Sequence, residues 1–300
     1  MRLWFPLLLL PLLLLGLAPA RADRDPMAEL RFVPAGGTSG LIDGIVSSLA
    51  QDERGLLWVG TAAGLMRYDG YQAKAFPVTG AAGERGNRFL RTLLADGRTL
   101  WAGGDAEGLA RFDTLSERWT LYRNDPARPD SISPGSVFKM ARAPDGRIWL
   151  GLLAGLDCLD PATGRFEHHR VADGSGLPDN RIASLLFDRR GDFWVGTWRG
   201  AVRRRAGAKH FEAIGGELLQ QAAVDSLIEG PDGRIWASVR GGQVLTIDPA
   251  DGTTRQLEAG GAGVGSSQLI TMLNVNGAEV WIGRTAGIEV RGRDGRLLHI

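Results

Sequence analysis

One tryptophan-centred segment recurs six times in this 300-residue chain, and it limits the possible folds more than any other feature. It reads LLWVGTAAGLMRYD around Trp58, TLWAGGDAEGLARFD around Trp101 and RIWLGLLAGLDCLD around Trp149. It returns as DFWVGTWRGAVRRR around Trp194, RIWASVRGGQVLTID around Trp236 and EVWIGRTAGIEVRG around Trp281. The spacings of 43, 48, 45, 42 and 45 residues are those of a propeller blade.

Each copy opens with a short apolar run, such as Ile45–Leu49 or Ile182–Phe187, then an Asp/Gly or Asn/Gly turn whose residues tolerate the positive φ of a tight hairpin. A second strand carries the tryptophan, a glycine-containing turn follows, and a third strand ends near an aspartate such as Asp69, Asp113, Asp160 or Asp248. A looser fourth strand, as at Arg118–Tyr122, completes four antiparallel strands. The predicted fold is therefore all-β, a β-propeller of four-stranded antiparallel blades, with six blades visible of an expected seven-blade ring. The seventh is inferred from Leu30–Val33, which reads as an extra strand before the first unit.

Strand side chains alternate faces, so each tryptophan shares its face with the residue two places on. That residue is Gly60, Gly103, Gly151, Gly196 and Gly283 in five copies and Ser238 in the fifth unit. A small residue beside a large ring leaves room for a neighbouring blade, which assigns the six tryptophans to inter-blade core rather than to a carbohydrate-stacking ladder.

Residues 1–22 read as a secretory signal: Arg2 is the positive end, Leu7–Leu17 the apolar run, and Ala18-Pro19-Ala20 or Ala20-Arg21-Ala22 the cleavage pattern. Pro11 and Gly16 interrupt that run, which falls short of the roughly 20 residues of a spanning helix. The expected organisation is a signal peptide at 1–22 and a propeller at 23–300, periplasmic, with membrane attachment expected only through a segment C-terminal to residue 300. The lone Cys158 leaves the fold without an internal disulfide and reads as a small buried residue. Thirty-five basic against 34 acidic side chains provide no global field for nucleic acid.

The stretch Asp52–Asp69, and the lead-in Gly174-Ser175-Gly176-Leu177-Pro178-Asp179-Asn180-Arg181-Ile182, resemble the two-component regulator propeller family. The first and fourth copies match best. The resemblance implies a periplasmic ligand-sensing region of a sensor kinase or diguanylate cyclase, with homodimerisation as a further expectation.

No Gly-x-Ser-x-Gly, His-Glu-x-x-His or phosphate-loop motif occurs, so no catalytic residue is assigned. No cofactor is expected. His168 and His169 are adjacent on a strand and face opposite ways, and no Asp-Gly turn has the ligand density of a calcium loop, so no metal is expected either. The alternative is a stand-alone exported enzyme resembling streptogramin lyase, although the sixth copy holds no His–Glu pair at channel-facing positions. The run Arg203-Arg204-Arg205 reads as a solvated blade edge. Recognition is expected at the turns between second and third strands, where Trp198, Arg199, Arg240 and Arg284 occupy three consecutive units. Converging there, they would suit a small-molecule or glycan-like ligand bearing an anionic group.

Overall fold

The computed structural model describes residues 45–79, 83, 89–105, 108–220, 222–258, 270–285 and 287–299. The leader and the Leu30–Val33 segment lie outside them.

Six four-stranded antiparallel sheets follow one another along the chain, each with its strands in sequence order. Blade 1 runs from Val46 to Phe76, blade 2 from Leu90 to Tyr122 and blade 3 from Val137 to His169. Blade 4 runs from Ile182 to Ala213, blade 5 from Val224 to Leu257 and blade 6 from Ile270 to His299. First strands of consecutive blades touch, from blade 1 through blade 6, as the inner strands of a β-propeller do.

The seams are built as the repeat implies. Trp58, Trp101, Trp149, Trp194 and Trp236 are all at most 1% exposed, and each clusters with aliphatic residues of the following blade. Trp101 packs with Val137, Ile148 and Leu150 of blade 3, for example, and Trp194 with Val224, Ile235 and Ala237 of blade 5. Trp281 of blade 6 is only partly buried.

The glycine two places after the tryptophan is where the next blade enters. A Cβ built on Gly103 would lie 2.7 Å from Val137 Cγ1, and one on Gly151 would lie 2.7 Å from Ile182 Cγ2. On Gly196 it would lie 2.7 Å from the Val224 carbonyl oxygen. Serine side chains add inter-blade hydrogen bonds: Ser48 Oγ accepts the Leu93 amide at 2.9 Å and Ser184 Oγ accepts the Leu227 amide at 2.8 Å.

Blades 1 and 4 carry a further lock. The Asp52 carboxylate accepts Trp58 Nε1–H at 3.0 Å and the amides of Arg54 and Leu56. Asp188 does the same for Trp194 Nε1–H at 2.8 Å and the amides of Arg190 and Asp192. Burial alone would raise the Asp52 pKa, but these donors together hold it below the ordinary carboxylate value. In blades 2 and 5 the aspartate is absent from that position, and Trp101 and Trp236 Nε1 are buried without an acceptor among the described residues.

The Arg203–Arg205 run is not a solvated edge. Alternation sends Arg203, 4% exposed, over the Trp194 ring and into Glu212, and sends Arg204 to the other face over Trp149. Arg205 alone is exposed.

Two substitutions test this seam. Gly103→Val forces a branched side chain onto Val137 and should destabilise the domain by about 1–3 kcal/mol. Asp188→Ala strands three buried or half-buried donors and should cost about 1–3 kcal/mol in urea unfolding. Wild-type midpoints for both would refute the packing described.

Candidate functional site

Every first strand carries a one-residue β-bulge at the same register position opposite the second strand. The unpaired residues are Ser47, Arg91, Phe138, Ala183, Asp225 and Thr271. Bulges re-aim a side chain out of the ladder. Here the first five all line one cavity of about 350 Å³, together with Phe89, Lys139, Leu153, Ile182 and Trp198. The sixth belongs to a strand whose early side chains are not described. Because contributors come from the inner strands of five blades, this cavity is the mouth of the central channel.

Charges at the bulges are met by charges from the turn of the same blade. Arg91 pairs with Asp105, whose carboxylate also accepts Ser136 Oγ–H at 3.0 Å, and the Arg91 guanidinium lies 4.9 Å from both the Phe89 and Phe138 ring centroids. The side-chain bond from Arg91 is the chief reason the Asp105 pKa lies below the ordinary value. Asp225 accepts Arg240 Nη2–H at 3.0 Å. Lys139 reaches the channel without an ion pair or hydrogen bond among the described residues. It meets solvent there, yet the channel walls strip water from its ammonium and lower its pKa, against the opposing pull of Asp225.

The structure brings two of the four rim residues together. The Arg240 guanidinium stacks 4.4 Å from the Trp198 ring centroid, and Arg181 covers the same indole at 4.7 Å. Arg199 instead lines a separate cavity with Gly176, Pro178 and Gln220. Arg284 is buried: its guanidinium bonds Glu289 at 2.7 Å and the Gly242 carbonyl of blade 5 at 2.9 Å. Turn position alone did not reveal that partner, because Glu289 lies across the hairpin. The bulge residues and Lys139 were not predicted; only Ser47, Arg91, Lys139, Asp225 and Thr271 carried a signal, a polar or charged residue inside an otherwise aliphatic first strand.

Ser133, Asp157 and His168 meet without forming a nucleophilic triad. Ser133 Oγ and Asp157 Oδ1 approach the same ring nitrogen, Nδ1, at 3.1 and 2.9 Å, while Nε2 faces the Pro129 carbonyl at 3.0 Å. No ring nitrogen remains to serve a substrate, and Asp157 is fully buried. The cluster ties the blade 2–3 connection to blade 3. Cys158 is buried, and burial pushes its thiol pKa up to about 12, far from a reactive thiolate. Among the described residues no group of three His, Cys, Asp or Glu could hold a metal ion, and no helix is long and apolar enough to cross a membrane.

Fold and site define a β-propeller with a mixed-charge channel mouth. Residues 40–63 and 176–199 match the two component regulator propeller family, and these are the repeats of blades 1 and 4 that hold the aspartate–tryptophan lock. The chain carries two component regulator propeller repeats. No curated protein sequence matches it.

Among solved structures, it is similar to the extracellular domain of BT3049 from B. thetaiotaomicron, assigned as a hybrid two component system. The identity is 18% and the TM-score 0.74, over 89% of this chain and 36% of that one. The extracellular domain of BT4673 from the same organism, assigned likewise, gives 24% and 0.71 over 88% and 34%. A streptogramin B lyase gives 16% and 0.66 over 87% and 84%. These likenesses establish the propeller fold, and the chain spans about a third of the two extracellular domains.

The channel lysine generates a pH prediction. A lysine whose folded pKa lies below its unfolded value opposes folding while protonated, and that penalty fades as pH rises through the folded pKa. Lys139→Met should therefore raise Tm at pH 7, with the gain shrinking toward pH 10. A gain that grows with pH, or a lowered Tm at pH 7, would contradict the desolvated environment.

Proposed function

We propose that this propeller is the non-catalytic, ligand-recognising extracytoplasmic region of a bacterial membrane signalling protein, exported by residues 1–22 into the periplasm. The carrying observation is the channel mouth, where five blades deliver five bulge residues of different chemistry to one cavity. A cavity of a few hundred Å³ with aromatic walls and a few polar groups suits a small ligand. Its unpaired cation, Lys139, favours a ligand with an anionic group, and Trp198, partly exposed beside Arg181 and Arg240, offers aromatic surface to a glycan-like body. The likeness to two extracellular domains of hybrid two component systems supports the signalling context. Homodimerisation belongs to the same reading.

A seven-blade ring is part of this proposal. In blades 2 to 5 the aliphatic residue before each bulge is buried against the preceding blade: Leu90, Val137, Ile182 and Val224 are at most 1% exposed. Its counterpart in blade 1, Val46, is 54% exposed, and Leu49 beside it 58%. Trp281 of blade 6 likewise lacks the full cover of its five equivalents. Two half-seams of this kind are what a further blade would fill.

The lyase reading is the rival, since that propeller is also similar. The cavity lining contains neither histidine nor a nucleophile–base pair, which favours recognition. The purified chain, titrated with a panel of sulfated and uronic-acid sugars, should bind at least one member saturably. Lys139→Met should weaken that binding by about ten- to a hundredfold, the range for losing a charge-assisted contact. Ring opening of a streptogramin B by the chain, or binding indifferent to Lys139, would replace this reading.

A further inference from the structure

At the opposite end of the blade 4 strands from Trp198, Arg204 breaks the seam pattern. Its register equivalents, opposite the residue that precedes each tryptophan, are Tyr68 in blade 1, the hydrogen-bonded Arg291 in blade 6, and Phe112, Leu159 and Ile247 in blades 2, 3 and 5. The last three are fully buried apolar residues. A guanidinium in their place has to find acceptors or water. Arg204 finds three aromatic rings instead: Trp149 at 4.6 Å from its centroid, Phe211 at 5.3 Å and Phe193 at 5.4 Å. Among the described residues none of its N–H groups has an acceptor, and no carboxylate lies within ion-pair distance. The other cations of its run are all paired, Arg203 and Arg205 with Glu212.

The guanidinium borders a cavity of about 540 Å³ between blades 3 and 4. Its walls include Trp149, Phe187 and Phe193, and its rim carries Arg147, Arg190 and Arg205 against one acid, Asp145. Arg147 is paired with Asp145 at 2.8 Å. The exposed Arg190 side chain has no partner among the described residues. Two uncompensated guanidinium groups therefore face one half-enclosed space. Aromatic faces fix the plane of Arg204 and leave its donor edge free, the arrangement that lets arginine take an oxyanion with two parallel bonds.

We propose that this inter-blade cavity is a second binding site, for a small organic anion bearing a carboxylate, sulfate or phosphate, with Arg204 as its principal donor and Arg190 as flanking charge. It stands on residues separate from the channel mouth and does not depend on the reading given for that mouth. A ligand there would touch blades 3 and 4 together, through Pro144 and Asp145 on one side and Gly207 and Ala208 on the other.

The test is isothermal titration of the purified chain with sodium sulfate and with glucuronate at fixed ionic strength. Saturable binding of either probe is expected, weakened tenfold or more in Arg204→Gln, as loss of a charge-assisted contact implies. The binding that persists in Lys139→Met, where the channel mouth has lost its cation, is the part assigned to this cavity. No saturable binding of either probe overturns the proposal. Undiminished binding by a folded Arg204→Gln variant does so as well, as does complete loss of binding in Lys139→Met. Should Arg204→Gln not fold, the exposed Arg190→Gln decides: binding about threefold weaker supports the site, and unchanged binding removes it.

Discussion

The approach of the first strands of blades 3, 4 and 5 to the glycine of the preceding blade is the contact on which the rest of this structure depends. Where a Cβ would sit 2.7 Å from the incoming blade, no side chain fits without moving backbone or a branched neighbour. The tryptophan two residues away is covered as a result. The docking positions are correspondingly uniform: Leu90, Val137, Ile182 and Val224. Immediately after each comes the bulge residue, and these are not uniform: arginine, phenylalanine, alanine and aspartate. One residue is thus committed to the seam and the next is released into the channel. A ring built this way can change its channel chemistry without touching its packing, which separates fold from function at adjacent positions.

That adjacency explains what the sequence disclosed and what it hid. The seams were legible because a ring next to a glycine on one strand face has one economical use, and the strands Arg118–Tyr122 and Ile182–Phe187 have the bounds expected of them. The bulges were not, because an extra residue inserted at one place in every copy leaves the period undisturbed. Of the rim residues, Trp198 and Arg240 lie side by side, whereas Arg199 lines a separate cavity and Arg284 is directed by Glu289 and by a carbonyl of blade 5. Strand alternation, which separates His168 from His169, also separates Arg203 from Arg204; the same rule, applied to the arginine run, reads one of them into each seam.

The aspartate–tryptophan lock shows how degeneracy is tolerated. Asp52 and Asp188 each satisfy an indole and two amides, while the indoles of Trp101 and Trp236 remain buried and unsatisfied. An unmade bond of this kind costs about 1–3 kcal/mol. A ring in which blades share seams can absorb that cost locally, because each tryptophan still removes its whole apolar surface from water. Sequence recognition and polar satisfaction therefore coincide in blades 1 and 4, where the family match falls.

Apolar seams alone would make one blade nearly interchangeable with another as a neighbour. Two buried carboxylates remove that freedom at particular joints. Asp157 and Glu289 occupy one register position on the third strand, where other blades place Met66, Ala110, Val202 and Leu245. Asp157 accepts the amide and hydroxyl of Ser133, in the connection from blade 2, and a bond from Arg170. Glu289 holds Arg284 and Arg291, which in turn reach carbonyls of Gly242 and Glu258 in the preceding blade and its exit. A buried ion pair adds little net stability over a well-packed apolar pair, yet stripping it of one partner costs about 3–5 kcal/mol. Docked against a different blade, Asp157 would lose the Ser133 donors, and Arg284 and Arg291, which Glu289 holds within blade 6, would lose the carbonyls of Gly242 and Glu258. The ionic joints thus act on the order of the blades more than on their total stability, and they do so at the two seams where a buried carboxylate replaces an apolar residue.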